Sequence, residues 1–354
     1  MGNIKQINTV EDLDRIEELW RSLCSRILNC RIFETFDWCW NAWECVLSSE
    51  KGNELYVLVW QQDGNDDAVI FPFYLDGKGS LRFIMDEHSD YCDCLYLPGR
   101  NHHLAFKEAL EFIRADGRVK QIALHKMEAN SEVLNYFAAL APQSQIAKEN
   151  TYSWIEIAPS DDFAASQTQL RSKDKANVRA IKRKAARFNL RIYSKTKGDS
   201  YPDVEVDQIV FEMRQKGIRD DDFMPVTMRS FCRSIYEAGL SDIVALYDEC
   251  RRVVAMNYIL KMDSRRLSWI FLYTDSHAST ELYVKYFYSD EIDSLIVFDF
   301  GSGGYEYKFG TFRPCTRALL GLTIVFDRRL ALKLAFKRLL RASKDVVKQI
   351  VKRG

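Results

Sequence analysis

The stretch 298–314 reads Phe-Asp-Phe-Gly-Ser-Gly-Gly-Tyr-Glu-Tyr-Lys-Phe-Gly-Thr-Phe-Arg-Pro. It opens as the end of a strand, because Leu295, Ile296, Val297 and Phe298 run apolar into Asp299 and Phe300. Gly301, Ser302, Gly303 and Gly304 then break it. A buried strand ending in a carboxylate and a glycine-rich turn is a common seat for a site, since loops carry function on a rigid scaffold. Tyr305, Tyr307, Lys308 and Arg313 follow as a cluster of phenols and cations.

The rest of the chain supplies the scaffold. Its 354 residues are enough for two domains of about 150 residues each. An apolar content of 47%, with 13% aromatic residues, excludes a disordered chain. Lys plus Arg and Asp plus Glu balance at 50 each, but unevenly along the sequence. Arg171–Arg187 carries a net charge of +7 and Arg328–Gly354 a net of +9, which leaves −16 on the remainder. The chain is an acidic globule with two basic stretches. Nine cysteines, an odd number with no Cys-x-x-Cys pair, point to reduced thiols in a cytoplasmic protein. Five histidines without a His-x-x-x-His spacing give no metal site. The N-terminus has no apolar run of the signal-peptide kind. The apolar run 318–326 is too short to span a bilayer, which takes about 20 residues.

Periodicity gives an order of elements. Val10–Leu28 and Phe36–Leu47 read as helices, the second capped by Thr35 and carrying Trp38, Trp40 and Trp43 as core. Strands follow at Glu54–Trp60, Ala68–Leu75 and Leu81–Met85, then a helix at Leu104–Ile113 and a strand at Gln121–His125. A helix at Ser131–Leu140 and a strand at Tyr152–Ile157 close this half. The second half repeats the plan. A basic helix, Leu170–Phe188, precedes helices at Val204–Lys216 and Thr227–Ala238. Strands at Ile243–Tyr247, Val253–Leu260 and Leu267–Tyr273 come next, then a helix from Glu281 and the Leu295–Phe300 strand. The match between halves rests on element order, with no residue identity behind it. The basic segment 328–354 has an apolar stripe at Leu332, Phe336, Leu339, Leu340, Val347, Ile350 and Val351. It is either a helix packed on the domain or an interfacial helix drawn to anionic lipid.

The closing motif, Phe-Asp-Phe with a small turn and Tyr-x-Tyr-Lys-Phe-Gly, resembles that of the CelD-like (BcsL-like) acyltransferases of the GNAT superfamily, tied to cellulose and exopolysaccharide biosynthesis. More distantly it is similar to the Fem-type peptidoglycan aminoacyltransferases. The Trp-rich helix at 33–43 and the Ser-Asp-Tyr-x-Asp segment at 89–93 also resemble the family, as does the 173–183 helix with Lys175, Asn177 and Arg179. The resemblance implies an α+β tandem GNAT fold, with two mixed sheets flanked by helices. Residues 1–150 would form one half, 151–327 a second, and 328–354 a basic amphipathic C-terminal helix. It implies an acyl-CoA donor, such as acetyl-CoA, inserted between two splayed strands, here Leu267–Tyr273 and Leu295–Phe300. Tyr273, Ser276, Ser279 and Thr280 would meet that donor, and its pyrophosphate would lie at a helix N-terminus.

Lys308 would be the cation near the reacting carbonyl, Tyr305 or Tyr307 the acid for the leaving thiolate, and Asp299 or Asp90 the base. Lys175, Arg179, Tyr91 and Arg313 would bind the acceptor or its anionic groups. Taken singly, Asp299 reads first as a strand-end carboxylate accepting turn amides, and Lys308 as a surface ion pair. Beside the glycine turn they read as a cluster with a function. One departure stands out. The family has a glycine in the donor loop where this chain has Ser279-Thr280-Glu281, and Glu281 puts a negative charge in the first helical turn. The expected function is transfer of an acyl group to an amine or hydroxyl on a saccharide or cell-envelope precursor, without a metal and without nucleic acid. The expected location is the cytoplasm, at the inner face of the membrane if the C-terminal helix binds lipid. The rivals are a non-catalytic GNAT-fold partner in envelope synthesis and an aminoacyl-tRNA-dependent transferase.

Overall fold

The computed structural model describes residues 2–28, 30–62, 68–99, 101–141, 143–275, 277–303, 306–327 and 329–332. The first half contributes β1 (Gly2–Ile7), β2 (Glu54–Leu55), β3 (Val57–Gln62), β4 (Ala68–Phe71), β5 (Phe73–Leu75), β6 (Ser80–Phe83) and β7 (Gln121–Glu128). β8 (Gln145–Ile157) leads into the second half. There follow β9 (Asn189–Ser194), β10 (Ser241–Tyr247), β11 (Val253–Met262), β12 (Arg265–Tyr273), β13 (Ile296–Ser302) and β14 (Cys315–Val325).

Two sheets result. β1, β3 and β4 form a small one; the other eleven strands run in the order β2-β5-β6-β7-β14-β8-β13-β12-β11-β10-β9. Each of the two strands expected at Glu54–Trp60 and Ala68–Leu75 divides between the sheets. Pro72 has no N–H to give to a ladder and marks the second break; Tyr56 marks the first. The centre of the large sheet is an exchange. β14, which follows β13 in the second half, pairs with β7 of the first half, while β8 pairs with β13 of the second, and β8 and β14 pair with each other. The boundary expected at residue 150 therefore falls inside β8, a single strand.

Each half keeps one parallel pair, β6–β7 and β12–β13, among otherwise antiparallel neighbours. Both pairs hold register for only two or three residues and then part. In the first half the chain after β6 takes the vacated place beside β7: Cys92 N–H donates to Lys126 O at 3.1 Å, and Leu95 exchanges two bonds of 2.9 Å with Ile70. That opening is thus closed by the protein itself.

The helices cover the sheets through apolar faces. Thr35 caps the helix Phe36–Cys45 by accepting from Trp38 N–H at 3.3 Å. Trp38 is fully buried, edge-on to Phe33, Phe231 and Trp269 at 4.8 to 5.0 Å between centroids. Trp40 ties its indole to Asp14 at 2.9 Å. These tryptophans are core and its margin, as their helical spacing suggests. Of the 328–354 segment only 329–332 are described, so the expected interfacial helix lies outside the described residues. Among those described, no helix is long and apolar enough to cross a membrane.

Candidate active site

β12 and β13 pair at Arg265–Val297, Arg266–Phe298 and Leu267–Asp299, and then diverge. A cavity of about 480 Å³ opens where they part. Such a volume suits a small-molecule ligand. One wall is β12. There Ile259 pairs with Ser268 and Tyr258 with Ile270, which leaves Trp269 without a partner residue on β11. A bulge of this kind turns backbone polar groups out of the ladder, here at the cleft wall. Beneath it Ser268 Oγ meets Tyr283 OH at 2.6 Å and accepts from Asn257 Nδ2 at 2.9 Å, a buried polar chain that reaches the cavity.

The opposite wall is the glycine turn. Gly301 has φ of +72°, and a Cβ there would lie 2.8 Å from Asp90 Oδ2 and 3.0 Å from Ser268 O. Glycine is required on both counts. The turn wraps the carboxylate of Asp90, delivered by the first half: Ser302 donates to Asp90 Oδ1 from its N–H at 2.8 Å and its hydroxyl at 2.6 Å. Burial pushes the Asp90 carboxyl above its ordinary range, against the Ser302 bonds and the cations Lys126 and Lys308. The helix Glu306–Phe312 returns Lys308 to the same place, where Nζ donates to Phe300 O at 2.5 Å. Lys308 is 3% exposed. Burial lowers its ammonium to about 8, while Asp90 and Asp299 pull the other way. Asp90 and Lys308 both line the cavity.

Asp299 and Tyr91 sit one layer deeper and do not line it. Tyr91 OH donates to Asp299 Oδ2 at 2.7 Å and Gly301 N–H to Oδ1 at 2.8 Å. Asp299 is thus the strand-end carboxylate that braces the turn, and Tyr91 the post beneath it. The first half supports Tyr91 in turn. Arg31 lies over its ring at 4.4 Å and pairs with Glu128, which also accepts from Tyr152 at 2.6 Å and Arg317 at 3.1 Å.

Of the donor residues expected, Tyr273 and Ser279 line the cavity, Thr280 does not, and Ser276 and Tyr305 lie outside the described residues. Glu281 does not point its charge at an incoming anion. Its side chain is buried against the basic helix, with Arg187 Nη2 at 3.6 Å. The anion clamp expected of Lys175, Arg179 and Arg313 is not assembled. Arg179 is bound by Asp162 at 2.6 Å, Arg313 by Asp174 at 2.5 Å, and Lys175 by Ala165 O at 3.2 Å, all away from the cavity. Each of these cations meets a nearer partner on its own surface. Metal-type ligands converge elsewhere, at His102, His103 and Glu132. Neighbouring histidines are no recognised ligand spacing, which is why the sequence is silent there. The His102 Nδ1 is buried without a hydrogen-bond partner among the described residues, and Nε2 faces Glu132 Oε2 at 2.5 Å. The ring proton is therefore best placed on Nε2, in the bond a metal would displace.

Two halves of one plan, each with a parallel pair that parts, and with the second pair opening on a polar cleft, define the tandem GNAT acyltransferase fold. No protein-family model matches the chain, and no curated protein matches its sequence. Solved structures do. The C-terminal domain of a putative lysylphosphatidylglycerol synthetase from Agrobacterium fabrum is similar over 92% of this chain and 95% of its own, at 10% identity and a TM-score of 0.58. FemX is similar over 92% and 98%, at 8% identity and a TM-score of 0.54. A tandem GNAT protein from the clavulanic acid pathway is similar over 90% and 98%, at 12% identity and a TM-score of 0.50. These likenesses establish the fold. It is a fold shared with GNAT and Fem-like proteins, and the likenesses do not single out the CelD-like family that the motifs resemble.

Proposed function

We propose that this protein is an acyltransferase that moves an acyl group from a thioester donor, acyl-CoA, to an amine or hydroxyl of a saccharide or envelope precursor. The observation that carries this reading is the cleft itself. It opens where β12 and β13 part, and a buried carboxylate, Asp90, and a buried ammonium, Lys308, both line it. The pantetheine arm enters between the strands, with Ser279 and the start of the helix Ala278–Phe287 toward its phosphates. Asp90 accepts the proton as the acceptor heteroatom attacks the carbonyl carbon. Lys308 and the Trp269 bulge lie where the oxyanion forms. The C–S bond then breaks, and the departing sulfur takes a proton from the Tyr283 phenol or from solvent. The pairing of Glu281 with Arg187 at 3.6 Å lessens its repulsion of a donor anion at this helix.

Calorimetric titration with acetyl-CoA and CoA tests the reading. Micromolar binding that is lost on Ser279→Asp supports it. No binding by the wild type refutes the CoA donor, and leaves either an aminoacyl ester donor or a scaffold without a donor. Binding of an aminoacyl-tRNA would separate those two.

A further inference from the structure

Lys126 is a surface-type residue in an unusual position. It sits near the end of β7 with φ of +57°, a conformation that non-glycine residues adopt only when their surroundings impose it. The cause lies two strands away. Between β7 and β14 the register jumps from Leu124–Leu322 to Met127–Leu320, so His125 and Lys126 bulge out of the ladder opposite Gly321. On the other side of β14 the register slips again, and Glu149 of β8 is left without a partner residue. The Glu149 side chain crosses β14 at Gly321, where a Cβ would lie 2.5 Å from its Cδ. It then accepts from Lys126 N–H at 2.9 Å and meets His125 Nδ1 at 2.5 Å. The bulge is capped by a carboxylate from another strand, over a glycine that makes room for it.

The bulge sends the Lys126 side chain into the loop that follows β6. Its ammonium donates to Ser89 O at 2.7 Å and Glu87 O at 3.0 Å, while its own carbonyl takes Cys92 N–H at 3.1 Å. The residues so gripped bracket Asp90. Charge-assisted bonds to two carbonyls fix a loop more firmly than neutral ones. We infer that Lys126 is the positioning residue of this site: from the first half it sets the Asp90 carboxylate that serves the second half's cleft, and Glu149, reaching across Gly321, holds Lys126 in place. This rests on the proposed role of Asp90 for its meaning, but not for its test.

The test compares wild type with Lys126→Met, Lys126→Arg and Glu149→Gln. Two readouts need neither donor nor acceptor: amide exchange at Ser302, whose N–H is held by Asp90, and the carboxyl carbon titration of Asp90 by NMR. The groups facing that carboxylate are Lys126 from β7, Lys308 from the 306–312 helix, Asp299 and Ser302 from β13, and Tyr91 on its own loop. Lys126→Met removes one cation and two carbonyl bonds. The expected result is roughly tenfold faster exchange at Ser302, the loss of about one charged hydrogen bond, together with an Asp90 midpoint moved upward. Lys126→Arg restores most of both. Glu149→Gln gives the same directions at smaller size, and serves if Lys126→Met does not fold. Unchanged exchange and titration in both Lys126→Met and Glu149→Gln would overturn the inference. Shifts as expected, in a protein that binds no donor, would leave the inference standing and refute the acyl-CoA reading alone.

Discussion

Replacing Asp299 with asparagine should make this protein more stable at neutral pH. Asp299 is fully buried, and burial, with the nearby charge of Asp90, pushes its carboxyl up to about 6 against the bonds from Tyr91 and Gly301. An unfolded aspartate titrates near 3.9. The folded chain therefore binds this proton more tightly than the unfolded chain. The difference of about two pH units makes the ionised side chain unfavourable to folding by roughly 3 kcal/mol at pH 7.5. The sign is fixed by the direction of the shift. The penalty is complete above about pH 6, shrinks as pH falls, and disappears near pH 4. The amide introduced by Asp299→Asn would keep the Gly301 bond at its oxygen and could donate its N–H to the Tyr91 hydroxyl oxygen. Imperfect geometry takes back about 1 kcal/mol. A net gain of about 2 kcal/mol is expected from urea unfolding at pH 7.5, closing to zero or reversing by pH 4.5. An Asp299→Asn protein that is less stable at pH 7.5, with a gap that does not narrow toward pH 4.5, would refute the claim that this carboxylate is held ionised at a cost.

Other outcomes follow from the same site. Gly301→Ala puts a methyl group 2.8 Å from Asp90 Oδ2 at φ of +72°; it should destabilise the protein by at least about 2 kcal/mol and abolish transfer, read by denaturation and donor turnover. Transfer should follow a bell in pH: it rises as Asp90 ionises, from its upward-shifted range, and falls above about 8 as Lys308 loses its proton. Lys308→Met should remove the activity but leave donor binding within a few-fold, measured by calorimetry beside rate. At the hub below Tyr91, burial raises the Glu128 carboxyl, yet Arg31, Tyr152 and Arg317 together hold it below its usual range. Its stabilisation is present at neutral pH and lost as pH falls. Glu128→Ala strands Arg31 and should lose roughly 3 kcal/mol at pH 7, a loss that narrows in acid melts.

Much of this was legible in the sequence because it is local. The Phe-Asp-Phe run, the glycine turn and Lys308 lie within a dozen residues, and periodicity placed the helices to within a few positions. The tandem plan was visible as an order of elements. What the sequence hid is long-range. β14 was visible only as an apolar run at 318–326, with nothing to say that it pairs across 190 residues with β7. β1 and β9 are amphipathic edge strands with weak alternation. Asp90 was distinguished from Asp299 only by geometry: both are acids next to turns, one after and one before, but Asp90 faces the cleft and Asp299 is consumed by Tyr91 and Gly301. Lys126, Glu149 and Gly321 carry no local signal, since their relation exists only once three strands are side by side. The cations expected to bind an anion are engaged locally: Lys175 and Arg179 by Ala165 O and Asp162 just before the basic helix, and Arg313 by Asp174 on it, which no pattern in the sequence announces.

The exchange of β8 and β14 bears on how the chain is made. Until residues 315–325 have been synthesised, β7 has no neighbour on one side, and β8 lacks its longest one. At roughly 5 to 20 residues per second, the first half waits about 10 to 40 s for its missing strand. Through that interval β7 and β8 present unpaired edges of the kind that invite wrong partners. The two halves are therefore not successive folding units. Of the described strands, the last to be made is the one that commits both halves, and a chain cut before residue 315 should accumulate as aggregate rather than as a working first half.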